Sequence, residues 1–144
     1  MNALDIFMIA PNAENLKKIQ NNGWMLTRVF QKDESLAKQF FKFEEWFQIC
    51  KDLSDLTDEE KAKFKDLLKS SVSTFAEAIK YYHTLGYEDR IAWQNDFIDH
   101  AKTVKDCQYL LYSMDKRHRK KIVEKMQKVA VTDEDKKIAF GYSI

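Results

Sequence analysis

Glycine and proline are scarce: the 144 residues hold three glycines and one proline. Sandwiches and small barrels need tight turns at short intervals, and those turns draw on these two residues. Their scarcity argues against such folds, and against collagen-like or linker-rich chains. Cysteine is nearly as rare. Cys50 and Cys107 lack zinc-ribbon or redox-pair spacing, and two cysteines make a poor disulfide framework for a chain of this size. A reducing, cytoplasmic setting is the expectation. No apolar run approaches the roughly 20 residues that cross a bilayer. The stretch from Met1 to Pro11 has no basic start and no small-residue cleavage site, so it does not read as an export signal. An excess of one charge sign is also missing. Lys plus Arg total 24 and Asp plus Glu 23, for a net charge of +1, which argues against a globally basic nucleic-acid coat or an acidic mimic of DNA.

Apolar side chains at helical spacing are abundant, within a hydrophobic content of 44%. A domain near this length buries roughly two-thirds of its unfolded surface, so no metal or disulfide staple is required. The length predicts a single domain over 1–144. The fold class expected is all-α: a compact helical bundle of four main helices, 33–51, 57–84, 88–114 and 116–129, with short terminal helices.

Local signals support these bounds. Asp33 is a cap for the first long stretch, with Leu36, Phe40, Phe43 and Phe47 on one face. Thr57-Asp58-Glu59-Glu60 is a capping box, in which Thr57 takes the Glu60 amide and Glu60 reaches back. Gly86 is expected to stop the second helix by entering the left-handed conformation. Trp93, Phe97, Ala101, Val104, Gln108 and Leu111 mark the third, and Ile122, Val123, Met126 and Val129 the fourth. Asn12 caps a short helix, and Thr132 starts a last one. The run Phe140-Gly141-Tyr142-Ser143-Ile144 is apolar enough to dock on the rest of the chain.

Charge is distributed unevenly along the chain. Residues 1–60 hold 7 basic and 11 acidic side chains, and residues 116–144 hold 9 and 4. The basic excess lies in Lys116, Arg117, Arg119, Lys120, Lys121, Lys125 and Lys128. A helix carrying it would meet phosphates or an acidic protein patch, although lysine-rich faces are commonly no more than solvated. Aromatic interleaving for base stacking is missing from this helix. Tyr109 and Tyr112 offer apolar area plus a hydroxyl for a partner surface.

Catalytic and cofactor signatures are absent from the sequence. It has no Gly-x-Ser-x-Gly elbow, phosphate loop or dinucleotide fingerprint. Asp96 and His100 share a helical face, but no spacing gathers the further ligands that a metal needs. We therefore expect no cofactor, no metal and no catalytic residue. The function expected is that of a small intracellular protein-binding module, such as a stoichiometric inhibitor, immunity factor or adaptor of a larger protein. Its partner-binding residues would be Arg117, Lys120, Lys121, Lys125, Lys128, Tyr109 and Tyr112. The alternative is a nucleic-acid-binding regulator that uses the basic 116–128 helix.

Overall fold

Short polar side chains set most of the helix starts. In the computed structural model, which describes residues 1–143, Asn2, Asn12, Asn22, Asp33, Thr57, Thr74, Thr103 and Thr132 each precede a helix. Each accepts a hydrogen bond from the backbone N–H three residues on. This satisfies one of the four donors that a helix start leaves without an intrahelical partner. The described residues form eleven α-helices, one 3-10 turn and no strand. In order they are α1 (Ala3–Ile9), α2 (Ala13–Lys17), α3 (Gly23–Lys32), α4 (Glu34–Phe40), α5 (Phe43–Cys50) and α6 (Asp58–Ser71). Then come α7 (Phe75–Thr84), α8 (Tyr87–Asp99), α9 (Val104–Ser113), the 3-10 turn Lys116–His118, α10 (Arg119–Val129) and α11 (Asp133–Phe140).

The chain divides into two compact units, residues 1–72 and the residues from Ser73 onward. In the first, α5 packs on α6 and α3 packs on both α4 and α5. The Phe30 ring lies 4.7 Å from Phe64 and 6.0 Å from Trp46, centroid to centroid. Leu26, Val29 and Ile49 are fully buried in the same unit. Glu45 is 7% exposed, and its carboxylate accepts the Lys42 N–H at 2.8 Å. Burial pushes that carboxyl above its ordinary value, and the bonds from the backbone offset part of the rise.

In the second unit α9 packs on α10, α7 on α8, and α11 on both α9 and α10. Phe97 is the centre of an aromatic stack, 5.6 Å from Phe75, 5.8 Å from Trp93 and 4.5 Å from Tyr82. Ile122, Val123 and Met126 of α10 and Val104, Cys107 and Leu110 of α9 supply further buried apolar area.

The all-α class stands, but the four long helices do not. Each is interrupted: at Phe41–Lys42, at Val72–Thr74, at His100–Thr103, and at Arg119, where a 3-10 turn passes into α10. The cause is local. Glu77 returns a carboxylate to the Thr74 N–H, and Asp106 does the same for Thr103. These reciprocal caps favour a new start over continuation. The break at Phe41 also rotates the buried face. Ala37, Phe41, Phe43 and Trp46 are buried, whereas Leu36, Phe40 and Phe47 of the expected stripe are only half-buried. Gly86 does not enter the left-handed region. Its φ is −73° and it stands just before α8, while α7 closes with the Leu85 N–H on the Tyr82 carbonyl.

Candidate interaction site at the α9–α10 corner

Where α9 turns into α10, four cationic side chains follow one another with a single acid among them. Asp115 caps the 3-10 turn, accepting the Arg117 N–H at 2.9 Å and the Arg117 Nε at 3.3 Å. The bond from the Arg117 backbone, ahead of its guanidinium charge, holds the Asp115 carboxyl below the usual carboxylate value. Arg119 donates from Nε and Nη2 to the Ser143 carbonyl at 3.3 and 3.2 Å. Its guanidinium lies 5.9 Å from the centroid of the Tyr142 ring. Lys116 and Lys120 are exposed, and their ammonium groups make no ion pair or hydrogen bond with the described residues.

Tyr112 sits on the last turn of α9 and is 93% exposed. Gln108, one helical turn earlier on the same face, donates to the Tyr142 hydroxyl at 3.4 Å. Tyr112, Gln108, Tyr142 and Arg119 thus form one stretch of surface at this end of the second unit. A freely presented ring and hydroxyl beside cations can cover apolar area and receive carboxylates or phosphates.

The sequence-predicted partner set is split by the structure. Arg117, Lys120 and Tyr112 are all exposed and lie on the stretch of chain that forms the corner. Lys121 and Lys125 turn instead to the C-terminal end of α8. Lys121 Nζ lies 2.9 Å from Asn95 Oδ1 and 3.9 Å from Asp99 Oδ1, and Lys125 Nζ donates to the Asp99 carbonyl at 2.8 Å. The last carbonyls of a helix lack intrahelical donors and carry the negative end of its dipole, so lysines settle there. Tyr109 is half-buried, edge-on to Phe75 with centroids 5.9 Å apart, and its hydroxyl is 3.4 Å from His83 Nε2. Lys128 is exposed at the far end of α10, about 13 Å along the axis from Arg119 at the helical rise per residue. Lys116, Arg119 and Tyr142 complete the corner but were not in the predicted set. Tyr142 was not foreseeable from periodicity, because it lies beyond α11. Gly141–Ser143 do dock on the second unit, as expected of the chain end; Ile144 lies outside the described residues.

Other groups with chemical potential are engaged locally. His100 Nδ1 donates to the Asp96 carbonyl at 2.7 Å, and no group of three metal-ligating side chains occurs among the described residues. Burial raises both thiols to about 11, Cys50 and Cys107 alike, so at neutral pH they stay protonated and unreactive. A cavity of about 300 Å³ in the first unit is lined by Phe30, Gln31, Glu34, Glu59, Glu60 and Lys63. Within it Lys63 pairs with Glu34 at 2.7 Å and lies over the Phe30 ring, and the Gln31 amide donates to Glu60 at 3.2 Å. No helix among the described residues is long and apolar enough to cross a membrane.

Comparison with known proteins adds no relative: no family model matches the chain, and no curated protein or solved structure matches it either.

Proposed function

We propose that this chain is a protein-binding module whose second unit receives an acidic segment of a partner at the α9–α10 corner. The observation that carries the reading is Tyr112, 93% exposed on the last turn of α9, shortly before the exposed Lys116 and Lys120 in the chain, which have no acidic mate among the described residues. Tyrosine and arginine are enriched among the residues that dominate binding energy at interfaces. A protein partner suits the charge better than a nucleic acid does. The second unit carries 13 basic and 11 acidic side chains and the whole chain a net +1, which gives little long-range attraction for a polyanion. Stoichiometric inhibition, immunity or adaptor action would all be served by such a surface without catalysis. Two cysteines that form no disulfide are compatible with a reducing compartment, and the cytoplasm is the location we propose.

Fluorescence anisotropy with a labelled oligoglutamate peptide tests this at low and at physiological salt, with duplex DNA, single-stranded DNA and RNA measured alongside. Peptide binding that weakens in Tyr112→Ala and again in Lys120→Glu supports the reading. Binding to nucleic acid with none to the peptide selects the regulator alternative instead. Binding indifferent to both substitutions places the surface elsewhere and overturns the assignment.

A further inference from the structure

We propose that Gly141–Ser143 form a displaceable strap on this corner and that an acidic segment takes Arg119 from it. The proposal rests on the reading of the corner as a binding surface and adds its regulation. The geometry of Arg119 is the argument. Nε and Nη2 form the edge of a guanidinium that matches the two oxygens of a carboxylate. Here both donors converge on one neutral oxygen, the Ser143 carbonyl, at 3.3 and 3.2 Å. A carboxylate would satisfy each donor separately and bring opposite charge, so it outcompetes the carbonyl.

The strap is also lightly held. Ala139 is the last fully buried residue before it, whereas Gly141 and Ser143 are exposed and Tyr142 is half-buried. Among the described residues its remaining ties are the 3.4 Å bond from Gln108 to the Tyr142 hydroxyl, the Tyr142 ring under Arg119, and backbone bonds back to the end of α11. It can therefore leave while α11 stays packed. Release would add the Arg119 guanidinium to Lys116 and Lys120 and uncover the Gln108 flank next to Tyr112.

The test uses the full chain and the labelled oligoglutamate peptide. Tyr142→Ala removes the ring and hydroxyl that hold the strap, and affinity for the peptide is expected to rise ~3- to 10-fold, the range that one weak hydrogen bond and one exposed cation–π contact convert to. Arg119→Gln in the same chain should cancel the gain. Saturating peptide should also speed amide hydrogen exchange at Tyr142 and Ser143 in the unsubstituted protein. Unchanged or weaker binding by Tyr142→Ala, while Lys120→Glu still lowers affinity, overturns the strap and leaves the corner reading standing. No peptide binding by any form overturns both.

Discussion

Lys125 of α10 reaches across to α8 and donates to the Asp99 carbonyl at 2.8 Å. The bond takes the ammonium partly out of water, and desolvation lowers its pKa below 10.5 despite the nearby Asp99 carboxylate. One of the lysines expected from the sequence to face a partner is thus a tie between two helices of the second unit.

That tie has a measurable sign. A lysine whose folded pKa lies below its unfolded value opposes folding while it is charged. The penalty is present below the folded pKa and is relieved as pH rises toward 10.5. Lys125 is expected to titrate below 10.5 in a side-chain NMR titration. Lys125→Met should remove this alkaline gain in stability and shift stability at neutral pH by less than about 1 kcal/mol. A Lys125 titration at or above 10.5 would contradict the burial argument.

Glu34 gives the opposite case in the first unit. Hydrogen bonds from Lys63 and then Lys38, at 2.7 and 2.9 Å, hold its carboxyl below 4.5. A carboxylate favoured by folding adds stability above its unfolded pKa and loses it as pH falls through the lowered folded value. The stability difference between the unsubstituted protein and Glu34→Gln should therefore be level above about pH 5.5, a unit above the ordinary glutamate value, and shrink from pH 4.5 downward. Because the group is exposed, added salt should reduce the difference at every pH.

Gly23 opens α3 against the backbone of α5. A Cβ built at this position would stand 2.9 Å from the Gln48 carbonyl oxygen, and a backbone oxygen inside a helix cannot easily withdraw. Gly23→Ala should lower stability by about 1–3 kcal/mol, against the gain of up to about 1 kcal/mol that alanine brings inside a helix. Urea denaturation followed by circular dichroism decides the sign. A stabilised variant would show that the α3–α5 approach relaxes freely.

Thr74 separates α6 from α7. Its hydroxyl accepts the Glu77 N–H at 3.1 Å, and the Glu77 carboxylate returns to the Thr74 N–H and to the Ser73 N–H and hydroxyl. Thr74→Ala should cost about 1 kcal/mol, measurable in the same denaturation experiment. Helix content should fall little, since the carboxylate half of the box remains. No loss at all would mean that the Ser73 contacts suffice to start α7.

Helical class was legible because Phe64, Leu68, Trp93, Phe97, Ile122 and Met126 recur at three- and four-residue steps, and all six are buried. The caps at Asn12, Asp33, Thr57 and Thr132 were readable too, since each stands just before a periodic run. Thr74 and Thr103 were not, because the apolar spacing passes through them without a gap. A cap inside an uninterrupted stripe leaves no mark in periodicity. Its mark is the acid three residues on, Glu77 or Asp106, which the stripe hides. Lys42 has no cap-forming side chain at all, and its break is set by the Glu45 carboxylate.

At the corner, the cationic run and Tyr112 were visible in the sequence. Which lysines face outward depended on α8, whose Asn95 and Asp99 side chains draw Lys121 and whose Asp99 carbonyl draws Lys125. That requirement comes from a chain segment more than twenty residues away, so residue order alone could not assign it. Tyr142 and Gln108 meet only after α11 has folded back.

Each unit is an unbroken run of sequence, the first complete at Val72. At a synthesis rate of about 5–20 residues per second, the ribosome needs roughly 4–14 s to add residues 73–144. The internal packing of residues 1–72 can form during that interval, and nascent aromatic side chains such as Phe30, Trp46 and Phe64 can be sequestered from chaperones and aggregation before the second unit is made.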